Sequence, residues 1–453
     1  MALRFDLVIR GGTVVNGSCC KKVDIGITDG LISVLALQGI LPTNDGQKEI
    51  DATGKFVIPG VVDSHVHLRE PGFTEKEDFV TGTKAAAAGG VTTVMVMPFT
   101  QPLVTSSKEL EEKYQIADGR AFVDYTLQAT VKPDLLEQVA DATKWGVTSF
   151  EIFLAESPKE LCICNNVILS SILERVAEAG KIVGIYADDD SIIRKNTEAL
   201  KAAGRHDFMA YTESKPPVGE ALGVARACLI AESVGVKIHF RQISTKIALD
   251  ILRYMKKRYD RISVEVSPHH LFLDADSINS REPFAKVSPP LRKLEDCQAL
   301  QQGLKDGTID IIATDHAPHM PEEKETGYED IWCAPGGIIG LQTLLPLMLD
   351  RVSSGFLSLA ELINFLCKRP AELFGLYPRK GIIRVGSDAD LVIIDLERNH
   401  TVSSELQYSK AKYTPFEGTK LRGMPVLTLL RGNVIMEDGI VLQKPLGQLV
   451  KPV

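Results

Sequence analysis

The sequence predicts a closed parallel (β/α)8 barrel beside a small β-sandwich that is built from both ends of the chain. Within residues 55–377, eight short β-branched or apolar runs alternate with helical stretches. No Gly-rich phosphate loop follows the first run, which favours a closed barrel over a doubly wound sheet. Residues 1–54 and 378–453 instead carry short alternating strands punctuated by glycine, as is typical of an antiparallel β-domain.

The predicted elements follow in order along the chain. The N-terminal strands are read from DLVIRGGTVVNG, KVDIGITDG and KEIDATGKFVIPG. The barrel runs are, in order, VVDSHVH, VTTVMVM, AFVDYTLQA, TSFEIFLA, KIVGIYA, VKIHFRQI, RISVEV and IDIIATD. The N-terminal pattern returns in DADLVIIDLER and VLTLLRGNVIMEDG, so we expect the two ends of the chain to pair into one domain.

Composition and charge narrow the possible partners. The chain has 453 residues, 44% of them hydrophobic, and a formal net charge of −8. An acidic chain with scattered Lys and Arg argues against nucleic acid or an anionic membrane as a partner. The N-terminus lacks the pattern of a signal peptide, and no apolar run is long enough to span a bilayer. We therefore predict a cytoplasmic protein.

The eight cysteines are too sparse for a disulfide scaffold. Cys162 and Cys164 have a spacing that could bind a soft metal, but no second Cys or His pair lies nearby in the sequence. We interpret all eight as ordinary buried or surface thiols.

A His-x-His motif ends the first barrel run. In a strand, side chains two residues apart share a face, so His65 and His67 can both point to one metal while Val66 turns away. The alternative, two unrelated surface histidines, is disfavoured by the position of the motif at the end of a buried strand. The motif therefore predicts two metal ligands.

Asp315 closes the last barrel run, in IDIIATDHAPH. Active sites of parallel barrels gather at the carboxyl ends of the strands, so this carboxylate is well placed for metal binding or proton transfer. An aspartate that caps a helix is the alternative. The adjacent histidines, His316 and His319, favour a functional role.

These motifs resemble a known family. PGVVDSHVHLREPGFTEKEDFVTGTKAAAAGGVTTVMVMP is similar to dihydroorotase, and ATDHAPH, SPPLR, APGGIIGLQT and RPAELFGLYPRKGIIRVGSDADLVIIDL match the dihydroorotase, allantoinase and hydantoinase family. The similarity covers essentially the whole chain. It implies a TIM barrel with a β-sandwich formed by the two termini, ring opening of a cyclic amide or ureide, and a homodimer or homotetramer.

The resemblance also implies a metal site from which this sequence departs. Family members hold two zinc ions with an HxH pair, a final Asp, two further His and a bridging carbamylated Lys. By flanking pattern, Glu151 stands where the bridging Lys is expected, and Tyr186 and Gln242 stand where the two further His are expected. Three of the six ligands have changed.

Neighbouring residues offer few replacements. Strand alternation places His239 on one face with Arg241 and leaves Gln242 on the opposite face. Asp188 and Asp189 are harder to exclude and stay open as alternatives.

The charge and length of the side chains at the three changed positions then predict a single zinc ion. Glu151 carries the charge of a Lys carbamate on a shorter arm, and neutral Tyr and Gln are poor zinc ligands. One zinc can make water more acidic and polarise a carbonyl. As its family counterpart does, Asp315 would take the proton of the attacking water and pass it to the leaving nitrogen. The predicted ligands are His65, His67, Glu151 and Asp315.

The substrate pocket is predicted from the same resemblance. Arg69 matches the residue that grips a substrate carboxylate, and His319 matches a residue that helps bind it. Phe99 and Ser288 stand where dihydroorotase has Asn, so the pocket is more apolar. We expect an anionic or polar cyclic substrate that is bulkier or more apolar than dihydroorotate. The predicted substrate-binding residues are Arg69, Phe99, Tyr186, Gln242, Ser288, His319 and Gly337.

Three hypotheses follow for the function. The first is an active cyclic amide hydrolase with one zinc, and it is favoured because His65, His67, Arg69 and Asp315 are all present. The second is a metal-poor, inactive paralogue with a structural role, which the three changed ligands favour. The third is a metal-free hydrolase in which Glu151 acts as the general base.

Overall fold

The computed structural model describes residues 4–17, 19–42, 48–155, 161–442 and 444–453. The strands are β1 Leu7–Arg10, β2 Thr13–Asn16, β3 Cys19–Thr28, β4 Leu31–Leu37, β5 Lys48–Asp51, β6 Phe56–Pro59, β7 Val61–Val66, β8 Val91–Val96, β9 Asp124–Leu127, β10 Ala129–Thr130, β11 Ser149–Phe153, β12 Ile182–Tyr186, β13 Lys237–Phe240, β14 Ile262–Val266, β15 Ile311–Ile312, β16 Leu391–Thr401, β17 Lys420–Leu430, β18 Asn433–Glu437 and β19 Ile440–Val441. The α-helices are α1 Phe79–Ala88, α2 Ser107–Ala117, α3 Gln138–Trp145, α4 Asn166–Glu178, α5 Asp190–Ala202, α6 Phe208–Glu213, α7 Pro217–Val234, α8 Lys246–Met255, α9 Pro268–Phe272, α10 Leu294–Lys305, α11 Pro321–Glu325, α12 Leu344–Ser353, α13 Leu359–Ile363 and α14 Arg369–Leu373.

Strands β7 to β15 form the predicted barrel. Each pairs in parallel with the next along the chain, except that β9 and β10 are two halves of one strand interrupted at Gln128. The ring closes where Val66 forms a parallel bridge with His316 and the His67 N–H donates to the His316 carbonyl at 2.8 Å. All eight predicted barrel strands are present, so the predicted fold class is confirmed.

A ten-stranded sheet joins the two ends of the chain. Its strand order is β19-β18-β17-β16-β6-β2-β3-β1-β5, with β4 paired to β3. Strand β6 connects the halves, because it runs parallel to β2 and antiparallel to β16. The sheet therefore continues to Pro59, past the predicted boundary at residue 54, because the FVIP run finds its partner in the C-terminal half of the sheet. Ile9, Ile25, Ile393 and Leu429 belong to the buried core of this sheet.

The last residues of the chain return to the barrel. The Tyr125 N–H on β9 donates to the Gln448 carbonyl at 3.0 Å, and the Val450 N–H donates back to the Tyr125 carbonyl at 2.8 Å. Gly447 makes this close approach possible, since a Cβ there would lie 2.0 Å from the Val123 carbonyl oxygen. The C-terminal segment thus extends the pairing of a barrel strand.

A buried charge cluster joins the sheet to the barrel. The Lys380 ammonium lies 2.5 Å from Asp124, 2.8 Å from Asp388 and 2.5 Å from Asp390, and Arg431 also pairs with Asp124. Burial lowers the pKa of Lys380, but the three carboxylates outweigh it and raise the pKa above its ordinary value. Lys380 is therefore held as a cation among these carboxylates.

Replacing Lys380 with methionine is expected to destabilise the fold by about 3 kcal/mol, because it leaves three buried carboxylates with two more exposed cations, Arg431 and Arg379. The change would be measured as the free energy of unfolding in urea. Lys55→Met, which removes a half-exposed partner of Asp395, serves as the control, with an expected loss of about 0.5 kcal/mol. Equal effects of the two variants would contradict the interpretation.

The described part of the chain contains no helix with both the length and the apolar character that a bilayer crossing needs.

The paired cysteines lie in a short segment after β11. The Sγ atoms of Cys162 and Cys164 are 3.3 Å apart, and Cys164 lies 3.8 Å from an Asp190 carboxylate oxygen. That carboxylate is paired with Arg194 at 2.8 Å, and burial raises the pKa of Cys162 to about 12. Cys162, Cys164 and Asp190 form a group whose ligand atoms lie within 4.8 Å of one another, so the interpretation as ordinary thiols stays a prediction.

Candidate metal centre and active site

The carboxyl ends of the barrel strands surround a cavity of about 620 Å³. This is the end of a parallel barrel where catalytic side chains collect. The residues that line it are His65, His67, Arg69, Phe73, Met97, Phe99, Thr100, Gln101, Leu103, Glu151, Ile152, Phe153, Leu161, Tyr186, Arg241, Gln242, Ser288, Asp315, Ala317, His319, Gly336 and Gly337.

The two histidines of the HxH motif converge on Asp315. Nε2 of His65 lies 3.1 Å, and Nε2 of His67 lies 3.2 Å, from the same Asp315 oxygen. Val66 between them is buried and continues the pairing of β7 with β8. In the described part of the chain, these three residues form a group whose ligand atoms all lie within 4.8 Å of one another. The structure thus brings together three of the four predicted ligands.

Local backbone geometry aims Asp315 into the site. Asp315 follows β15 with a φ of 47°, in the left-handed region that aspartate tolerates better than most residues. The preceding Thr314 is fixed by Asp63, which accepts from its N–H at 3.2 Å and from its hydroxyl at 2.6 Å. Burial raises the pKa of Asp315 to about 6, although the neighbouring His65 opposes the shift.

Glu265 contacts the His65 ring on the side that faces away from Asp315. Its Oε1 lies 2.7 Å from His65 Nδ1, the ring nitrogen that faces away from Asp315. A carboxylate on that nitrogen fixes the tautomer and leaves Nε2 free for a metal, as is usual around metal-binding histidines. Sequence analysis missed Glu265, although a carboxylate within the apolar strand β14 is a signal because unpaired acids are rarely buried.

In the described structure, Glu151 lies outside the group formed by His65, His67 and Asp315. Its Oε1 is 2.7 Å from Arg241 Nη2, its Oε2 is 3.0 Å from Arg241 Nε, and Ser149 donates to it at 2.7 Å. A guanidinium fork matches the geometry of a carboxylate, so both oxygens are engaged by a cation from the protein itself. Sequence analysis missed this role of Arg241.

The prediction that Arg241 and Gln242 lie on opposite faces of strand β13 was wrong. The strand stops at Phe240, and Gln242 has a φ of 50°, so both Arg241 and Gln242 reach into the cavity. Nε2 of Gln242 donates to the second carboxylate oxygen of Asp315. His239 lies below the site, 2.8 Å from Ser263, and does not join the ligand group in the described structure.

The other alternative ligands have local roles. Asp189 caps α5 by accepting from the N–H groups of Ser191 and Ile192, both at 3.1 Å. Asp188 is buried and accepts from the Asp189 N–H at 2.7 Å. Burial raises the pKa of Asp188 to about 7, with a further contribution from Glu220.

Replacing Asp188 with asparagine is expected to stabilise the protein more at pH 8 than at pH 5. Because the folded pKa is raised above the unfolded value, ionisation of Asp188 costs stability as the pH rises from about 4 to about 7. Asparagine removes that cost, and the difference between the two pH values should be about 2 kcal/mol. Urea unfolding of both proteins at each pH measures it. A gain that is the same at both pH values would refute the assignment.

An aromatic wall lines one side of the cavity. The ring centroids of His67 and Phe99 are 6.2 Å apart, those of Phe99 and Phe153 are 4.5 Å apart, and those of Phe153 and Tyr186 are 5.8 Å apart. The Tyr186 hydroxyl lies 3.2 Å from the Ser288 hydroxyl, which also accepts from Lys215 at 2.9 Å. The wall therefore places aromatic rings next to the ligand group and a polar edge farther away.

Arg69 and His319 form the opposite, cationic side. Arg69 Nη2 lies 3.2 Å from His319 Nε2, and its Nε donates to the Pro318 carbonyl at 3.2 Å. Burial, with Arg69 and Lys76 nearby, lowers the pKa of His319 to about 2, so this ring is neutral. Gly337 is required beside it, because its φ is 158° and a Cβ there would lie 2.2 Å from the Ala317 carbonyl oxygen.

The donor set fits a divalent metal. Two imidazole nitrogens and one carboxylate oxygen are typical ligands of catalytic zinc, and three protein ligands leave a position open. Glu265 has already oriented one of the imidazoles. Three carboxylates, Asp315, Glu151 and Glu265, lie near two guanidinium groups, Arg241 and Arg69, and the remaining negative charge favours a cation.

Comparisons with known proteins define the family. The model of the amidohydrolase family matches residues 56–435, and the chain belongs to this family. It is 34% identical over 450 residues to L-hydantoinase of Paenarthrobacter aurescens, covering 98% of each chain. It is 36% identical over 455 residues to dihydroorotase of Methanosarcina acetivorans, covering 98% of this chain and 95% of that one. It is 34% identical over 458 residues to allantoinase of Rubrobacter xylanophilus, covering 99% and 98%.

Solved structures agree with the fold. L-hydantoinase from Arthrobacter aurescens superposes with a TM-score of 0.95 at 33% identity, covering 99% of this chain and 100% of that one. D-hydantoinase from Thermus sp. gives a TM-score of 0.93 at 30% identity, covering 98% and 99%. The resemblance to the dihydroorotase, allantoinase and hydantoinase family is confirmed. Metal dependence is typical of this family.

Proposed function

We propose that this protein hydrolyses a cyclic amide, using one zinc ion held by His65, His67 and Asp315. The observation that carries the proposal is the meeting of both Nε2 atoms at one Asp315 oxygen, beside an open cavity. The hydantoinase, dihydroorotase and allantoinase relatives support the same class of reaction. When bound, a zinc ion supplies Lewis acidity that polarises a carbonyl and makes water more acidic.

Asp315 is the residue that moves the proton. Its carboxylate lies at the ligand group and beside the cavity, where it can accept a proton from the attacking water and release it later. The Gln242 amide donates to its second oxygen and so limits the rotation of the carboxylate. Asp315 then returns the proton to the leaving nitrogen when the ring opens.

The walls of the cavity select the substrate. Arg69, a guanidinium against neutral His319, suits an anionic or strongly polar edge of the substrate. Phe99 and Phe153 offer ring faces to an apolar substituent. A volume of about 620 Å³ exceeds what a small unsubstituted ring fills. We therefore propose a cyclic amide, ureide or imide that carries an apolar or aromatic group.

Truncating the aromatic wall tests this selection. Phe99→Ala is expected to lower kcat/KM by about tenfold for aryl-substituted hydantoins and cyclic imides, since an aromatic pair contributes roughly 1 kcal/mol beyond burial. For dihydroorotate and unsubstituted hydantoin, the change should be less than about twofold. Phe73→Ala, at another part of the cavity lining, is the matched control. Equal losses on all substrates would contradict the role of the wall.

Metal content and a substrate panel test the proposed function directly. Elemental analysis of protein purified without chelator should give about one zinc per chain, as expected for a three-ligand catalytic site. The panel comprises dihydroorotate, allantoin, substituted hydantoins, dihydropyrimidines and cyclic imides. Hydrolysis of at least one member that is lost with chelator supports the proposal. Failure to hydrolyse any of them with zinc bound would overturn it.

The alternative is a metal-poor structural paralogue, and one observation favours it. Glu151, which stands where the family has its bridging Lys, is fully engaged by Arg241. Protein without bound metal or activity, yet folded, would support that function. We further propose a cytoplasmic homodimer or homotetramer, as the family resemblance implies, which size-exclusion chromatography with light scattering would test.

A further inference from the structure

We propose that Arg241 takes the place of a second metal ion and thereby makes this a one-metal site. The inference rests on the proposed function, because it concerns how many cations that site holds. Its guanidinium would do two things: neutralise the carboxylates on the inner side of the site and keep another divalent ion out.

The geometry places Arg241 between two strands, β11 and β14, that each carry one glutamate. Its Nε and Nη2 donate to Glu151 on β11, and its Nη1 donates to Glu265 on β14 at 2.7 Å. The same Nη1 donates to the Ser64 carbonyl on β7 at 3.1 Å. Arg241 is only 3% exposed, yet it lines the cavity, so its charge is held at the inner wall of the site.

Glu265 links this guanidinium to the ligand group. One of its oxygens contacts Arg241, and the other contacts His65 at 2.7 Å. Glu265 therefore contacts Arg241 directly and would reach a cation at His65, His67 and Asp315 only through the His65 ring.

The lengths of the two side chains explain how Glu151 and Arg241 meet. Glu151 has a short side chain, and its two oxygens point to Arg241 rather than into the ligand group. The long arm of Arg241 spans the gap from β13 instead.

Electrostatics disfavours a second divalent ion here. Asp315, Glu151 and Glu265 against Arg241 and the nearby Arg69 leave an excess of one negative charge, which one divalent ion already exceeds. A further divalent ion would lie beside the guanidinium in a site with little water to screen the repulsion. Tyr186 and Gln242 are also neutral and are poor zinc ligands.

Zinc stoichiometry of charge variants tests the proposal. Metal-free protein would be dialysed against Zn²⁺ alone, and bound zinc would be counted by elemental analysis. The unmodified chain and Arg241→Lys should each bind about one ion, whereas Arg241→Met should bind about two, with the second held more weakly. The double variant Glu151→Gln with Arg241→Met should return to about one.

A second readout separates charge from folding. Because Arg241→Met exposes Glu151 and Glu265 to each other, its melting temperature should fall without zinc and rise with zinc by more than that of the unmodified chain. If Arg241→Met does not fold, the zinc content of Glu151→Gln tests the proposal instead, because this variant should keep its single zinc ion. Loss of that ion would make Glu151 a ligand and overturn the proposal, as would one ion in folded Arg241→Met.

The failures of the two proposals are distinguishable. One zinc in every variant, together with ring hydrolysis by the unmodified chain, overturns the role of Arg241 and leaves the proposed function standing. Folded but metal-free and inactive unmodified protein overturns the proposed function as well.

Discussion

Asp315→Asn is expected to lower kcat/KM by about a thousandfold, since a positioned acid–base group contributes roughly 10² to 10⁴. Asparagine keeps the shape of the side chain but cannot accept the proton of the attacking water or return it to the leaving nitrogen. It also removes the anionic oxygen on which Nε2 of His65 and of His67 converge. Both effects act on the transition state, so kcat should fall more than KM changes.

Initial rates on the best substrate of the panel, measured with zinc content on the same sample, check this expectation. Ser288→Ala is the matched control, because Ser288 lines the same cavity but contacts Tyr186 and Lys215 rather than the ligand group. Its loss should stay below about tenfold, as for one neutral hydrogen bond. An Asp315→Asn enzyme that retains a tenth of the activity would show that another group moves the proton.

Glu265→Leu is expected to destabilise the fold by about 5 kcal/mol, because it removes one partner of a fully buried charge pair. Glu265 accepts from Arg241, contacts Nδ1 of His65 and lies 3.3 Å from His239. Losing it leaves Arg241 with Glu151 as its remaining carboxylate partner and frees the ring of His65 to rotate. Zinc affinity should therefore also fall by about 10- to 100-fold.

Urea unfolding and zinc titration of the same variant measure the two effects. Glu265→Gln retains the shape and part of the hydrogen bonding, so it should show a clearly smaller loss of stability than the Leu variant. If zinc affinity were unchanged in both variants, Glu265 would not orient His65, and its contacts would serve only the stability of the fold.

The fold could be predicted in detail because its signal is local. Each of the eight barrel strands is a short buried run, and period and length identify such runs without any knowledge of neighbours. The terminal sheet and its FVIP strand were also predicted, but the pairing of β6 with β16 was not, since that partner lies more than three hundred positions away. Pairing over that distance leaves no mark in a local pattern.

The site was predicted where one short motif carries it. His65 and His67 share a strand face, and Asp315 ends another strand, so their convergence follows from barrel geometry. The pairing of Glu151 with Arg241 joins residues 90 positions apart, so each was interpreted alone. The prediction that Arg241 and Gln242 lie on opposite faces was wrong, because side chains alternate only inside a strand and β13 ends at Phe240.

The C-terminal segment on β9 has a consequence for biosynthesis. The Gln448 N–H donates to Asp124 across 324 residues of sequence, and Tyr125 pairs with the same segment. A ribosome delivers residues from the N-terminus onward, so the third barrel strand leaves the exit tunnel long before its final partner is translated. Until the last residues emerge, that strand has backbone groups open to other chains. A gene shortened ahead of Gly447 should therefore yield nascent protein that depends on chaperones and accumulates in inclusion bodies.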